Sequence, residues 1–319
     1  MPRPHRVLFH FPYARELTGG PRALLALLGA LDRDLIEPLV VLPAECALAD
    51  ATRRIGIETV LLPPPSPLDR YDGSVLRTGV MGKIAALRAL ARHARDFERI
   101  VRERECRAVW NRGLRAVLAT SPAARRLGVP CIWDIGVEEN RGRLARWLRL
   151  RALERVDVVV TESPLQPAEI FGARAVKRHA RKLRPNLPGI DRDAANALEA
   201  EWARRPAEPE PVIIAVGTLT PRKNQAMLVR ALAEIALRQP DLRVELVGTS
   251  VPESYEAHLR ELARTLGIED RVAFLGWRDD VPRLIARSAA LAVTSFNEGI
   301  PYVAREAIFL GVPVIATAV

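Results

Sequence analysis

The chain has 319 residues, of which 49% are hydrophobic and 27% are charged, and its formal net charge is +10. One hydrophobic core rarely organises a chain of this length, so we expect two domains. No apolar run reaches the roughly 18–20 residues of a membrane span, and the N-terminus lacks the cleavage site of a secretory signal. Cys46, Cys106 and Cys131 show no metal or redox spacing. They indicate ordinary thiols in a reducing cytoplasm.

The charge is spread unevenly, with +13 in residues 1–190 and −3 in residues 191–319. A basic half is typical of nucleic-acid binding, but no basic run is interleaved with stacking aromatic residues, so we expect no nucleic-acid partner. Peripheral contact with an anionic membrane, or a phosphorylated acceptor, fits better. The basic segment 143–155, with Leu144, Trp147 and Leu148, is a candidate for that contact. Packing of this segment against a sheet and a genomic bias towards arginine are the alternatives.

The N-terminal half alternates short apolar runs with amphipathic segments. The pattern predicts strands at 6–11, 38–42, 58–62, 108–110, 130–135 and 157–161, and helices at 81–105, 114–127 and 143–155, besides one that opens at Gly19 and Gly20. In the long helix, Phe97 and Val101 belong to the apolar face, and His93 is expected on the solvated one. Another helix is expected with Ser163 as N-cap and Pro164 in its first turn. Such alternation predicts a doubly wound parallel sheet.

Gly19 and Gly20 follow the first predicted strand and lead into a helix with Pro21 in its first turn. A glycine turn between a strand and a helix is suited to binding phosphate or substrate, although simple turn chemistry explains it equally well.

The C-terminal half repeats the alternation after a turn-rich crossing near residue 185. Helices are predicted at 194–204, 224–238, 253–266 and 280–287, and strands at 212–217, 242–247, 271–275 and 290–294. The last segment, 294–319, predicts a glycine turn and a short helix with Pro301 in its first turn and Gly311 after its end. The following run VPVIATAV predicts a parallel strand covered on both faces.

Two glutamates in this last segment, Glu298 and Glu306, are candidates for binding hydroxyl groups. Glu298 is placed at the carboxyl end of a strand, where open α/β sheets bind ligands. Glu306 lies about five helical residues past Pro301, which is roughly 7–8 Å along the helix axis. A carboxylate accepts two hydroxyl donors, as a ribose diol offers, so a sugar nucleotide fits this spacing. A solvated helix face is the alternative.

Arg222 and Lys223 directly follow another strand and precede a helix. Cations at this position stabilise the negative charge that builds on a leaving nucleoside diphosphate. A basic pair that merely flanks a helix is the alternative.

The segment FNEGIPYVAREAIFLGVPVIAT at 296–317 resembles the paired-glutamate segment of the family 4 glycosyltransferases. The order of PNLPGID (185–191), VGTLTPRKN (216–224), VELVGT (244–249) and RVAFLGWRDD (271–280) agrees with that family. The resemblance covers 185–319 and extends loosely to LTGGPRALLALLGAL at 17–31.

The resemblance implies two facing Rossmann-like domains of the GT-B fold, an acceptor-side domain at 1–185 and a nucleotide-sugar-binding domain at 186–319. It implies a retaining enzyme without metal or cofactor, which moves a hexosyl group from a UDP- or GDP-sugar to a glycan or lipid-linked acceptor, in surface polysaccharide biosynthesis. The expected location is cytoplasmic, or peripheral on the inner face of the membrane. Lys223 and Glu298 are implied as catalytic. The implied donor-binding residues are Gly19, Gly20, Arg222, Lys223, Glu298, Gly299, Ile300, Pro301 and Glu306.

The sequence departs from the family pattern in three places. Thr218 stands where members carry an arginine, and Arg222 is a candidate substitute. No histidine follows the strand at 130–135, where members direct one towards the donor sugar; Asp134 and Glu138 are the candidates for facing the sugar. Members also continue beyond the position of Val319, so we expect the second domain to be incomplete.

Three alternatives remain open from the sequence. The Asp-x-Asp pairs at 32–34 and 191–193 match the metal motif of another glycosyltransferase fold, but they are interpreted as turn and cap residues. A non-catalytic sugar-nucleotide-binding or scaffold protein would explain the missing arginine and histidine. Another GT-B enzyme, such as a sugar-nucleotide epimerase, is the third.

Overall fold

The computed structural model describes residues 3–12, 19–65, 80–136, 142–186, 189–190 and 192–318. The chain divides into two compact units, Met1–Asp191 and Arg192–Val319. The sequence placed the boundary between residues 185 and 186.

The first unit contains a seven-stranded parallel sheet in the order β3-β2-β1-β4-β5-β6-β7. Its strands are β1 (His5–His10), β2 (Ile36–Leu42), β3 (Glu58–Leu61), β4 (Ala108–Arg112), β5 (Cys131–Asp134), β6 (Val158–Thr161) and β7 (Leu183–Pro185). Its helices are α1 (Gly19–Ala30), α2 (Ala47–Arg54), α3 (Val80–Glu103), α4 (Leu114–Leu127), α5 (Arg143–Arg155), α6 (Gln166–Phe171) and α7 (Ala173–His179). The doubly wound parallel sheet predicted from the alternation is confirmed.

The strands of this sheet are apolar throughout because helices cover both faces. Leu8 of β1 belongs to a core with Phe97 of α3 and Trp133 of β5. Its neighbour Phe9 belongs to a second core with Leu28 of α1. Successive strand residues point to opposite faces, so each face requires its own apolar partners.

The second unit contains a five-stranded parallel sheet in the order β10-β9-β8-β11-β12. Its strands are β8 (Glu210–Val216), β9 (Arg243–Val247), β10 (Val272–Gly276), β11 (Ser288–Val293) and β12 (Val314–Ala316). Its helices are α8 (Arg192–Arg204), α9 (Gln225–Ile235), α10 (Glu253–Thr265), α11 (Val281–Arg287) and α12 (Tyr302–Phe309).

Both sheets follow the same winding. In each, the first three strands run outwards in one direction, and the fourth returns to the other side of the first. The direction of winding therefore reverses between β1 and β4 in the first unit and between β8 and β11 in the second. Open α/β sheets bind ligands at the carboxyl ends of the strands that flank such a reversal.

The prediction for His93 is wrong. This side chain of α3 is buried, with 5% of its surface exposed, and its Nδ1 lies 3.2 Å from the carbonyl oxygen of Pro63. The buried stripe of α3 also contains Phe97, Ile100 and Val101. A histidine can be buried in this stripe because its ring has a hydrogen-bond partner there.

The prediction that VPVIATAV forms a strand covered on both faces is also wrong. Only Val314–Ala316 is a strand, and β12 is the outermost strand of its sheet, paired in parallel with β11. Ile315 is 56% exposed. The apolar sequence of this run therefore did not predict its burial correctly, because the described residues leave part of this edge strand exposed.

Gly19 and Gly20 open α1, with Pro21 in its first turn, as predicted. Two other predicted helix starts differ in detail. Helix α6 starts at Gln166, although the Ser163 hydroxyl does accept a hydrogen bond from the Gln166 N–H at 3.2 Å. Pro301 is the N-cap of α12 rather than a residue of its first turn.

Within the described ranges, no helix is both long and apolar enough to cross a bilayer. Across the same residues, no group of three or more His, Cys, Asp or Glu side chains is arranged to hold a metal ion. Asp32 is a turn residue, since its carboxylate accepts a hydrogen bond from the Asp34 N–H at 2.9 Å.

Candidate functional site

The loops that leave β8 and β11 are joined at the winding reversal of the second unit. The turn after β8 is closed by a hydrogen bond from the Lys223 N–H to the Thr220 carbonyl at 3.0 Å. The Thr294 hydroxyl donates to the Lys223 carbonyl at 2.9 Å, and the Phe296 N–H donates to the Arg222 carbonyl at 2.9 Å. Hydrogen bonds to the carbonyl groups of Arg222, Lys223 and Thr220 therefore fix the position from which the side chains at 222 and 223 extend.

These joined loops bring Lys223 and Glu298 into direct contact. The lysine Nζ donates to Glu298 Oε1, and the Ser295 hydroxyl donates to the same oxygen at 2.6 Å. The Glu298 side chain is 8% exposed and that of Lys223 is 21% exposed. Such donors offset the cost of placing a carboxylate this far from solvent.

Arg222 is a second cation beside the same carboxylate. Its Nη1 donates to the Asn297 carbonyl at 2.8 Å and lies 3.6 Å from Glu298 Oε1. Two cations and one carboxylate leave this cluster with a charge of about +1, which suits an anionic ligand. Neither Ser295 nor Asn297 was singled out from the sequence, although both lie within three residues of Glu298.

Three neighbouring strands of this sheet end in glycines with positive φ: Gly217 after β8 (140°), Gly248 after β9 (136°) and Gly276 at the end of β10 (62°). The Gly248 N–H donates to the Gly276 carbonyl at 2.8 Å. A Cβ on Gly248 would lie 2.3 Å from the Gly217 carbonyl oxygen. The strand ends therefore present main chain without side chains, which permits close approach of a ligand.

A small cavity of about 20 Å³ opens beside Lys223. Its lining residues come from both strands, both loops and the starts of α9 and α12: Ala215, Val216, Lys223, Gln225, Ala292, Val293, Thr294, Ser295, Pro301 and Val303. Gln225 is 4% exposed, and its Nε2 donates to the Thr218 carbonyl at 3.2 Å.

The remaining predicted donor residues of this unit lie around α12. Gly299, Ile300 and Pro301 are partly buried in the segment before the helix. Glu306 lies on α12 and is only 3% exposed. The structure thus brings Arg222, Lys223 and Glu298 together and places Glu306 in a more enclosed position than a solvated helix face.

The other predicted residues lie in the first unit. Gly20, which follows Gly19 in α1, lies beside Arg112, because a Cβ on it would be 3.7 Å from Arg112 Nη2. Asp134 accepts a hydrogen bond from Arg112 Nη1 at 2.7 Å. Glu138 lies outside the described residues.

Arg112 was missed by the sequence analysis. Its Nη2 also donates to Glu162 at 3.0 Å, so one guanidinium joins two carboxylates. Burial acts to lower the pKa of Arg112, but Asp134 and Glu162 outweigh it, and the pKa lies above its ordinary value. The side chain is therefore a permanent cation.

His10, at the carboxyl end of β1, is a structural histidine. It is fully buried, and its Nδ1 lies 3.1 Å from Asn111 Oδ1. Burial lowers the pKa of His10 to about 3, and the neighbouring His93 adds to this decrease, while the bond with Asn111 opposes it. The ring is neutral at physiological pH.

Known proteins match the chain to different extents: a family model matches part of the second unit, and one relative matches most of the chain. Residues 198–319 match the family model described as glycosyl transferases group 1. A GDP-mannose-dependent alpha-(1-6)-phosphatidylinositol monomannoside mannosyltransferase of Mycolicibacterium smegmatis is 28% identical over 81% of this chain and 71% of its own length. A D-inositol 3-phosphate glycosyltransferase of Salinispora tropica is 40% identical over 34% of the chain, which spans about a quarter of that relative (24%).

Solved structures resemble the whole chain. Anabaena HepE in complex with UDP and glucose has a TM-score of 0.69 at 20% identity, with 97% of this chain and 80% of that chain covered. Sucrose-phosphate synthase from Thermosynechococcus elongatus has a TM-score of 0.67 at 19% identity, covering 99% and 83%. The chain is a glycosyltransferase with the GT-B fold. The Rossmann-like fold class predicted from the sequence is thereby confirmed, and the enzyme class agrees with the prediction.

In this glycosyltransferase, the segment matched by the family model contains the whole Arg222–Lys223–Glu298 cluster. The same segment includes the three glycine-ended strands and α12. The cluster is therefore the candidate donor site.

Proposed function

We propose that the chain is a retaining glycosyltransferase of family 4, which moves a hexosyl group from a UDP- or GDP-sugar to a hydroxyl of a glycan or lipid-linked acceptor. The observation that carries this proposal is the Lys223–Glu298 pair with Arg222 at the winding reversal of the second unit. Its charge and position suit the diphosphate of a nucleotide sugar.

In the proposed reaction, the bond between the sugar anomeric carbon and the diphosphate oxygen breaks, and its electron pair leaves with the diphosphate. A new bond forms between that carbon and an acceptor hydroxyl oxygen on the same face of the ring, and the hydroxyl proton passes to the leaving diphosphate oxygen. Lys223 and Arg222 stabilise the charge that grows on the leaving group. In the proposal these two side-chain cations, rather than a metal ion, supply the positive charge.

Glu298 has a different role in the proposal. Its carboxylate accepts hydrogen bonds, so it exchanges the Lys223 ammonium for hydroxyl groups of the sugar when the donor binds. Glu306 holds the ribose diol, and the Gly299–Pro301 segment lies along the donor. The acceptor side belongs to the first unit, whose basic charge favours peripheral contact with an anionic membrane surface.

The relatives suggest the range of substrates. The Mycolicibacterium relative is named for GDP-mannose and a phosphatidylinositol monomannoside, and HepE was solved with UDP and glucose. We therefore include both nucleotides and lipid-linked acceptors among the candidates, with surface glycan synthesis as the setting.

The proposal is tested by thermal shift with a panel of UDP- and GDP-sugars, followed by measurement of nucleotide release. A donor that binds the folded state raises the unfolding midpoint with concentration. Lys223→Met should keep the fold and reduce turnover about 100-fold or more, as expected when one transition-state donor is removed. Lys177→Met, which changes an exposed lysine of the first unit, is the control.

No shift with any sugar nucleotide would refute the proposal. Binding without turnover in the wild-type chain, unchanged by Lys223→Met, would instead favour a non-catalytic sugar-nucleotide-binding protein. Release of nucleotide with a free epimerised sugar would favour an epimerase.

A further inference from the structure

Ser295 contributes a buried hydroxyl to the candidate donor site of the second unit. It lies two residues after the end of β11, and 1% of its surface is exposed. Its hydroxyl donates to Glu298 Oε1 at 2.6 Å. Hydrogen bonds from a hydroxyl to a carboxylate have lengths of about 2.5–2.7 Å and are roughly twice as strong as those between neutral groups. A strong hydrogen bond therefore connects the end of β11 with the carboxylate.

The main chain around Ser295 is held from both sides of β11. On the side of β12, the Thr317 hydroxyl donates to the Ser295 carbonyl at 2.7 Å. On the side of β8, the Thr294 hydroxyl donates to the Lys223 carbonyl at 2.9 Å. Neither of these hydrogen bonds involves Glu298. The position of the Ser295 hydroxyl is therefore set by the sheet and its loops, so this hydroxyl can act as a fixed point for the carboxylate.

The donors to Glu298 meet on one of its two oxygens. Lys223 Nζ and the Ser295 hydroxyl both donate to Oε1, and Arg222 Nη1 lies 3.6 Å from the same atom. Among the residues that the structure describes, none donates a hydrogen bond to Oε2. Ser295 thus orients the carboxylate with its second oxygen available, and this orientation does not require the lysine.

Binding of a diphosphate changes which donors serve Glu298. In the proposed donor complex, Lys223 moves to the diphosphate, and sugar hydroxyl groups replace it on the carboxylate. A nucleoside diphosphate takes the lysine in the same way but brings no sugar hydroxyl. Ser295 is then the nearest remaining donor within the described ranges, since Arg222 lies 3.6 Å away and donates to the Asn297 carbonyl.

The hydrogen bond from Ser295 therefore has a different weight in the two complexes. With a sugar nucleotide, Glu298 has the serine and a sugar hydroxyl as donors, just as the serine and Lys223 serve it in the structure. With a nucleoside diphosphate, the serine remains without such a second donor. A charged group that is withdrawn from solvent loses more free energy when its last close donor is removed than when one of two is removed.

Ser288, the first residue of β11, provides a matched internal control. It is 2% exposed, and its hydroxyl donates to the Leu284 carbonyl at 2.7 Å. Residue type, burial and bond length therefore match those of Ser295. The acceptor is a neutral carbonyl, however, and it lies at the amino end of the strand, away from the carboxyl ends where open α/β sheets bind ligands.

We propose that Ser295 is a positioning residue that holds Glu298 while Lys223 is engaged by the diphosphate. The serine thereby allows the site to retain the nucleoside diphosphate after the sugar has been transferred. This rests on the proposed function, in which Lys223 exchanges the carboxylate for the diphosphate. Ser295 contacts neither the sugar nor the diphosphate and acts through Glu298 alone.

The test uses Ser295→Ala in the full chain, with Ser288→Ala as the control. Isothermal titration calorimetry measures the Kd of UDP and GDP and of their glucose and mannose conjugates, and thermal unfolding reports the folding of each variant. In steady-state turnover, the KM of the sugar nucleotide and the inhibition constant of the nucleoside diphosphate give the same comparison. Thr317→Val, which removes the hydroxyl that donates to the Ser295 carbonyl, is a second variant.

In Ser295→Ala, the Kd of the nucleoside diphosphate that the wild-type chain binds should rise about tenfold, while the Kd of its sugar conjugate stays within about threefold. Product inhibition should weaken in the same proportion, and the KM of the donor should change little. Thr317→Val should change these values in the same direction and by less, because it displaces the serine without removing its hydroxyl. Ser288→Ala should lower the unfolding midpoint and change no Kd.

A change in the Kd of the sugar conjugate that equals or exceeds the change for the nucleoside diphosphate would overturn the proposal, since Ser295 would then only support the fold or the sugar. Unchanged values in a folded Ser295→Ala would overturn it as well. If Ser295→Ala does not fold, Thr317→Val decides by the same comparison. Failure of the proposed function has a different signature, because neither nucleoside diphosphate and none of the sugar conjugates would then bind the wild-type chain.

Discussion

Changes at the contact between Lys223 and Glu298 should affect the free energy of unfolding and the turnover differently. Lys223→Met leaves the Glu298 carboxylate, 8% exposed, with the Ser295 hydroxyl at 2.6 Å and Arg222 at 3.6 Å. Removing one partner of a buried ion pair costs about 3–5 kcal/mol. Lys223 is 21% exposed and Arg222 remains, so solvent and the second cation reduce the expected loss to about 1–2 kcal/mol.

Adding Glu298→Gln to this variant removes the uncompensated charge. The double variant should therefore recover about 1 kcal/mol of the lost free energy of unfolding, because no ionised group is left buried without its partner. Turnover should not recover. Loss of one donor that stabilises transition-state charge lowers kcat about 10²–10³-fold, and neither methionine nor glutamine replaces it.

The assay is a double-mutant cycle in which thermal unfolding and nucleotide release are measured on the same four proteins. Lys177→Met serves again as the control for loss of a lysine charge. Turnover that rises with stability in the double variant would show that Lys223 acts only by supporting the fold. Equal stability of all four proteins would contradict the inferred burial of the pair.

Two predictions concern stability away from this pair. Gly248→Ala should destabilise the second unit by about 1–3 kcal/mol or more, since its φ of 136° and a Cβ 2.3 Å from the Gly217 carbonyl both oppose a side chain. Gly267→Ala, at φ 66° with open space around it, should cost only about 1 kcal/mol in the same thermal melts, and equal losses would contradict the steric argument. Burial lowers the pKa of His10 from its ordinary 6.5 to about 3 in the folded chain. The contribution of neutral His10 to the free energy of unfolding is therefore complete above pH 6.5. It decreases as the pH falls towards 3, by up to about 1.4 kcal/mol per pH unit. His10→Gln should flatten this part of the unfolding profile, and an unchanged slope would mean that other groups cause the acid sensitivity.

The fold could be predicted from sequence because its signals are local. Apolar runs such as 38–42 and 212–217 alternate with helical segments, and this alternation alone indicates a parallel sheet. Burial was less predictable, since it depends on what packs against an element. Ile315 lies in an apolar run yet is exposed at the sheet edge, and His93 looked solvated yet is buried against Pro63.

The candidate site was predictable to the extent that its residues lie in recognisable segments. Lys223 and Glu298 are 75 positions apart, and only their resemblance to a family suggested that they meet. Arg112 and Glu162 carried no local signal, because neither stands in a recognisable motif and Arg112 is one of 48 Lys and Arg residues in this chain. Their contact depends on strand order, which joins residues 50 positions apart.

The bond between Glu298 and Lys223 also has a consequence for competition inside a cell. The carboxylate already pairs with the lysine, so a simple anion such as inorganic phosphate can take the ammonium only by leaving Glu298 without that partner. In the proposed donor complex, a sugar nucleotide supplies a diphosphate for the cations and hydroxyl groups for the displaced carboxylate in the same molecule. We therefore expect the site to discriminate against abundant small anions without any steric barrier, because only a ligand with both kinds of group satisfies every charge that its binding exposes.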